Sequence, residues 1–181
     1  MLDLTGAAGH LAVVGAPRSG KSWALRTAVL GLALTSTPRE LAVHILDFGG
    51  GALAPLAVLP HVGTVADRQQ PDLVRRIVAE FTDILARRER LFREAGIGSI
   101  EEFRAACSTG AFTSEPATDV LLVIDGYLVL RTEFEDLESQ LLPIATRGLS
   151  YGVHLAVTAT RWSDIRLALK DLLGSRVELR L

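Results

Sequence analysis

The chain has 181 residues, 49% of them hydrophobic and 22% charged, which fits one ordinary domain with a substantial core and excludes a disordered or fibrous protein. Its net charge of −2 gives no support for a generally basic nucleic-acid binder. A single cysteine, Cys107, rules out an internal disulfide or a cysteine-rich metal site and fits a reducing cytoplasm, and no run of about 18 apolar residues is present to cross a membrane.

Leu11–Val14 is fully apolar and predicts a buried strand. It leads into Gly15-Ala-Pro-Arg-Ser-Gly20-Lys21-Ser22, which matches the P-loop pattern of glycine, four free positions, glycine, lysine and serine or threonine. The glycines let the backbone curl so that successive N–H groups face phosphate oxygens. The lysine reaches the outer phosphates, and the serine hydroxyl can ligate Mg²⁺. A helix expected from Lys21 to Leu34 adds the positive end of its dipole. The expected ligands are therefore ATP and Mg²⁺. The expected contacts are Gly15, Ala16, Pro17, Arg18, Ser19, Gly20, Lys21, Ser22 and the adjoining Trp23, although Trp23 and Trp162 also read as packing residues.

A second strand, Leu41–Leu46, ends at Asp47-Phe48-Gly49-Gly50-Gly51, and Val62–Val65 predicts a short edge strand after Pro60. Leu73, Val74, Ile77, Val78, Phe81, Ile84, Leu85, Leu91 and Phe92 then recur at three- and four-residue steps, the mark of a long amphipathic helix that Gly96 stops. Arg75, Arg76, Arg87, Arg88, Arg90 and Arg93 crowd this helix and read as a solvated face or as partners of acids, with a local basic face as the alternative. Ser99 and Glu102 form a capping box for a shorter helix, and Ser108–Thr118 reads as a loop.

Val120–Ile124 is an uninterrupted apolar run, as expected of a strand covered on both faces. A helix is expected from Glu133 to Arg147, kinked at Pro143, followed by a buried strand His154–Thr158. Ser163 is expected to cap a short helix ending at Gly174, and Val177–Leu181 to form a last strand. This alternation predicts an α/β fold with a mostly parallel sheet and helices on both faces, whose ligands bind at the carboxyl ends of the strands.

Asp125 closes the apolar run, so its carboxylate is expected at that edge, contacting the metal through water and completing with Ser22 the metal-binding pair. In many ATPases of this arrangement a glutamate follows and activates the attacking water. Here Gly126 follows, so no catalytic residue is assigned and slow hydrolysis is expected. Glu133 and Glu135 are nearby acids without a spacing that argues for either. Thr158 and Thr160 end a buried strand where a polar side chain could sense the terminal phosphate, and Thr160 joins the candidate nucleotide contacts. Asp47 has two readings, a place in the hydrogen-bond network around water and metal, or a turn former. His10, His44, His61 and His154 show no metal-ligand spacing and read as structural or surface residues.

Four stretches together resemble an ATPase domain of the FtsK/SpoIIIE family, and most closely the degenerate C-terminal ATPase domains of the EccC group in type VII (ESX) secretion systems. They are Gly15–Ser22, Leu46–Leu53 with Leu59–Gly63, Val120–Gly126, and Arg147–His154 with Thr158–Ile165. With the ending Asp171–Leu181 they span nearly the whole chain, and Leu-Asp-Phe-Gly-Gly-Gly and Tyr-Gly-Val-His are the more specific parts. The resemblance implies a RecA-like P-loop NTPase core, residues 1–181 forming a single domain of a longer, inner-membrane-attached protein with its ATPase domains in the cytoplasm. The implied partners are neighbouring ATPase domains, with a hexameric ring as one arrangement, secreted helical-hairpin substrates and other membrane components of the secretion system. Gly126, and Thr160 where DNA-translocating relatives carry glutamine, depart from the active pattern. Arg87, Arg88 and Arg147 are candidate cations for a neighbour's site, with solvated surface as the alternative reading. Two further functions stay open: a DNA-translocating motor, which the acidic balance and Gly126 disfavour, and an ATP-stabilised module that binds an export signal.

Overall fold

The computed structural model describes residues 9–112 and 116–180. Its strands are β1 Leu11–Val14, β2 Leu41–Asp47, β3 Val62–Asp67, β4 Asp119–Asp125, β5 Val153–Ala159 and β6 Ser175–Glu178. Its α-helices are α1 Lys21–Thr35, α2 Pro71–Ala95, α3 Ile100–Ser108, α4 Tyr127–Glu133, α5 Glu135–Arg147 and α6 Leu167–Lys170. The strands form one sheet in the order β3-β2-β4-β5-β1-β6, every pairing parallel.

Side chains alternate along the central strands, and both sets are buried because helices cover both faces. Ala12, Val14, Leu122, Ile124, Leu155 and Val157 point to the face that carries α2, α4 and α5. Leu11, Val13, Val43, Ile45, Leu121 and Val123 point to the other, where α1 supplies Leu25, Val29 and Leu32 and a short 3-10 helix, Ala54–Val58, supplies Leu56. The α1 face is the thinner cover, and the outer side of α1 leaves Trp23 66% and Leu34 87% exposed.

The long helix α2 buries Val74, Ile77, Val78, Phe81, Ile84, Leu85 and Phe92, and ends where Gly96 turns left-handed at φ 68°. Ser99 accepts from the Glu102 N–H at 3.3 Å, while the Glu102 carboxylate reaches back to the Gly98 N–H at 2.8 Å, a capping box displaced by one residue. The edge strand expected at Val62–Val65 is β3, which lies at the sheet edge and runs two residues further, to Asp67. Among the described residues no helix is long and apolar enough to cross a membrane.

Three expectations need correction. The helix expected over Glu133–Arg147 is two helices broken at Phe134, which is buried and stacks on Phe48 with ring centroids 5.6 Å apart. Downstream of the break, α5 runs through Pro143 without interruption. Ser163 caps nothing: it sits inside a 3-10 turn, Trp162–Asp164, whose amides at Thr160 and Arg161 are capped by the Asp164 carboxylate at 3.1 and 2.9 Å, and the helix that follows is only Leu167–Lys170. The last strand starts earlier than expected, at Ser175, although Leu179 N–H and Arg180 C=O still bond to Val14 and Ala16 beside it. Leu181 and part of the expected Ser108–Thr118 loop lie outside the described residues.

Candidate functional site

The strand order decides the site. β5 lies between β1 and β4, with Val14 opposite Ala159 and Ile124 opposite Val157. The Gly15–Ser22 loop, Asp125 and the end of β5 therefore meet at one carboxyl edge.

The loop leaves β1 at Gly15, whose N–H donates to Ala159 C=O at 3.2 Å, while Ala16 N–H donates to Arg180 C=O at 2.7 Å. Glycine is required at 15: a Cβ there would lie 2.5 Å from Ser19 Oγ and 2.9 Å from Leu179 Cβ. Arg18 and Gly20 both turn left-handed, at φ 62° and 97°, which curls the loop over the start of α1. Arg18 holds that conformation without glycine's freedom, local strain of the kind that clusters at functional sites. The first turn of α1 contains no acidic residue, so the positive end of its dipole is uncompensated. Lys21 folds back, donating from Nζ to the carbonyls of Gly15 at 2.7 Å and Ala16 at 2.9 Å. Ser22 is half-buried in the same turn. Trp23 points outward under the Arg26 guanidinium, 5.0 Å from the ring centroid, so its packing reading is overturned. Trp162 does pack, against the larger core cluster, with its indole N–H on Glu178 at 2.8 Å.

Asp125 closes β4 and is 2% exposed. Thr158 Oγ1 donates to Asp125 Oδ1 at 2.6 Å and accepts from Gly126 N–H at 2.8 Å. This buried hydroxyl is thus engaged in orienting the acid. Thr160, two residues on, is half-buried and lines a cleft of about 340 Å³ with Ala16, Pro17, Arg161 and Trp162. Two buried polar atoms here have no hydrogen-bond partner, Ser19 Oγ and Asp125 Oδ2. An unpartnered hydroxyl within the loop and an unpartnered carboxylate oxygen at the end of β4, beneath the Gly49 backbone, are the donor and acceptor types that a phosphate and a hydrated divalent cation require, so the residues present fit ATP and Mg²⁺.

Of the two readings of Asp47, the structure selects the turn: its oxygens accept from Gly51 N–H at 3.1 Å and Leu53 N–H at 2.8 Å. Gly126 sits at φ 92°, and a Cβ there would meet Phe48 Cβ at 3.3 Å. Neither nearby acid replaces a base at this position. Glu133 is held by Arg68 Nε at 2.8 Å, and Glu135 faces Arg166 at 3.9 Å.

Among the candidate cations, Arg88 is excluded as a neighbour's partner. It is 1% exposed and donates to the carbonyls of Tyr151 at 2.6 Å, Thr118 at 2.6 Å and Pro116 at 3.1 Å. Arg147 is exposed and paired with Glu89 at 2.6 Å. The histidines serve structure. His10 Nδ1 accepts from Leu155 N–H at 3.0 Å and Nε2 donates to Ala145 C=O at 3.0 Å. His154 lies between Gly9 C=O and the Asp119 carboxylate, which also pairs with Arg104. No group of three or more potential ligands among the described residues is placed to hold a metal by itself. What sequence reasoning missed is the Phe48–Gly49 cover over Asp125, for which the triple glycine was the available signal.

The FtsK/SpoIIIE family model matches residues 1–181. EccC of the ESX secretion system from Thermomonospora curvata is 48% identical over 180 residues, covering 99% of this chain and 14% of that protein. EccC4 of the ESX-4 system from Mycobacterium tuberculosis is 49% identical over 180 residues, with the same coverage of 99% and 14%. A solved structure of T. curvata EccC, ATPases 2 and 3 in complex with a signal sequence peptide, superposes with a TM-score of 0.95 at 48% identity over 99% of this chain and 32% of that one. The chain thus spans about a seventh of the length of these EccC relatives. A parallel sheet that sets a P-loop beside a strand-terminal aspartate has the RecA-like P-loop NTPase architecture, and with the match running from the first residue to the last, this chain belongs to the FtsK/SpoIIIE family and is a homologue of the EccC ATPase domains of type VII secretion.

Proposed function

We propose that this domain binds ATP with Mg²⁺, hydrolyses it slowly, and works beside other ATPase domains of one longer polypeptide to drive or regulate export of small helical proteins. The observation that carries the reading is the P-loop set at the same carboxyl edge of the sheet as Asp125, a buried acid whose Oδ2 has no partner. In this reading the backbone N–H groups of Arg18, Gly20, Lys21 and Ser22, at the turn into the α1 N-terminus, hold the phosphates, those of Gly15 and Ala16 being engaged by Ala159 and Arg180. Lys21 exchanges its two loop carbonyls for phosphate oxygens, and Ser22 with Asp125 holds the metal, the acid being kept in orientation by Thr158. Bound Mg²⁺ supplies neutralisation of phosphate charge. Thr160 faces the loop from the end of β5. With Gly126 in the usual place of the base, positioning and charge neutralisation operate while water activation is lost.

The first test is calorimetry of ATP binding with Mg²⁺ or with EDTA, beside Lys21→Ala. Removing the ammonium is expected to weaken affinity at least tenfold. A variant that binds as tightly as the wild type, or a wild type that gives no heat with millimolar ATP, would remove the proposal.

The exposed apolar side chains on the outer side of α1, Trp23 beside the phosphate loop and Leu34 near the far end of the helix, support a neighbouring domain as partner. A position on the cytoplasmic side of the membrane follows from the same proposal. The DNA-motor alternative loses support, because Arg88 is withdrawn from the basic face of α2 into the core and Arg75 lies 3.5 Å from Asp136. A second reading is favoured by a cleft of about 450 Å³ lined by Tyr127, Leu142, Ala168 and Leu169 together with Glu135, Glu138 and Arg166. Such an apolar cleft, with Arg166 paired to Glu138 at 2.6 Å and to Glu135 at 3.9 Å, suits an amphipathic export-signal helix. Titration with labelled C-terminal substrate peptides tests it, and absence of saturable binding to this domain would dismiss it.

A further inference from the structure

The unpartnered oxygen of Asp125 is sealed by backbone. Thr158 takes Oδ1, while Oδ2 is buried with no partner. The seal is the turn Phe48–Gly51. A Cβ on Gly49 would overlap Oδ2 outright and lie 2.7 Å from Cγ, so only glycine fits with the carboxylate in place. Phe48 anchors the turn twice: its N–H donates to Asp125 C=O at 2.9 Å, and its ring stacks on Phe134 at 5.6 Å and 19°. The far end is tied by Asp47, through the Gly51 and Leu53 amides. Between the anchors Gly50 and Gly51 run at φ 99° and 89°, where a Cβ would meet nothing within 4 Å. The turn is therefore fixed at its ends and bare in the middle, lying on a desolvated carboxylate oxygen.

A carboxylate oxygen buried without a donor is unfavourable, and contact with donors would relieve it. Water cannot reach Oδ2 while Gly49 covers it. We propose that the Phe48–Gly51 turn is a gate over Asp125, with Phe48 and Gly49 as positioning residues: it is closed without ligand and lifts when nucleotide and metal bind together. Occupancy of the phosphate site is then converted into movement at the exposed glycines and at the Phe48–Phe134 stack, where α4 meets α5. The inference rests on the ATP·Mg²⁺ reading above.

The gate has a signature that a rigid scaffold lacks. If closure competes with metal binding, loosening the anchor raises the binding-competent population and tightens apparent affinity. Phe48→Ala removes the stack and leaves the P-loop untouched. It is expected to strengthen the Mg²⁺-dependent affinity for ATP by roughly two- to tenfold, with affinity in EDTA unchanged. If the turn instead holds Asp125 in place, the same variant weakens or preserves the Mg²⁺-dependent affinity, and the gate is refuted. Hydrogen exchange on the unmodified chain provides the second measurement, free of any folding defect in the variant. The segment 48–53 should exchange faster with ATP and Mg²⁺ than with ATP and EDTA or with no ligand, and equal or slower exchange in a protein that calorimetry shows to bind ATP·Mg²⁺ overturns the gate alone. A wild type without affinity for ATP overturns the nucleotide reading and the gate with it.

Discussion

At Gly126 the backbone adopts φ 92°, a conformation that any residue with a Cβ holds only at a cost of about 1–2 kcal/mol. Phe48 adds a steric objection, its Cβ standing 3.3 Å from where the new carbon would be. The missing glutamate is thus a property of the backbone as well as of the side chain, and restoring the residue does not restore the geometry. Gly126→Glu is expected to leave ATP turnover within about twofold of the wild type and to lower stability by about 1–2 kcal/mol, with Gly126→Ala showing the same stability loss. Steady-state phosphate release and urea denaturation measure both; a tenfold gain in turnover would contradict the argument. Thr158 shows how a neighbouring strand completes a site residue. Its hydroxyl bridges Asp125 Oδ1 and the Gly126 N–H, leaving Oδ2 as the one acceptor atom of that acid without a partner.

Helix α2 shows why some positions mislead. Its apolar stripe runs through 74, 77, 78, 81, 84, 85 and 92, and position 88 falls on the same side of the helix. Residue type suggested a solvated arginine, whereas the periodicity pointed inward, and periodicity won because four backbone carbonyls await the guanidinium. Those carbonyls come from positions 28 to 64 residues away, beyond the reach of any local pattern. Arg88→Met keeps the bulk and removes the donors, stranding buried carbonyls of the chain entering β4 and β5. A loss of about 3 kcal/mol is expected from urea midpoints, with ATP affinity of the folded fraction unchanged, and a loss below about 1 kcal/mol would show that water or rearranged backbone satisfies the carbonyls. The break between α4 and α5 was illegible for the same reason. Phe134 reads as one more apolar residue of a helix until its stacking partner Phe48 is known. By contrast α2 itself, α3 with its Ser99 cap and the Gly15–Ser22 turn were legible, because each is specified by residues within a few positions of one another.

The parallel sheet follows from alternating buried strands and helices, but the order β3-β2-β4-β5-β1-β6 depends on which crossovers pass over which neighbours, and it is this order that places β5 between the two halves of the site. The amino-terminal edge of the sheet, opposite the P-loop, is knitted by a buried histidine. His10 links β5 to α5, accepting from Leu155 N–H through Nδ1 and donating to Ala145 C=O through Nε2. Protonating it would aim a new N–H at the Leu155 donor. Burial, and then the nearby charge of His154, push its pKa down to about 4, against a smaller upward pull from the Ala145 carbonyl. His44 is shifted downward as well, mainly by burial, with Glu80 opposing. For a base whose folded pKa lies below its unfolded value near 6.5, the unfolded chain binds the extra proton between about pH 6.5 and 4. Stability therefore rises with pH across that window and is lost as the pH falls through it, while above about 7 this contribution is flat. The depression of His10 corresponds to a loss on the order of 3 kcal/mol between neutral pH and pH 4. Urea midpoints at pH 7.5, 5.5 and 4.5 measure the slope, and His10→Gln, which keeps a neutral donor and cannot titrate, should flatten it. A variant with the wild-type slope would move the acid sensitivity of this fold to other groups.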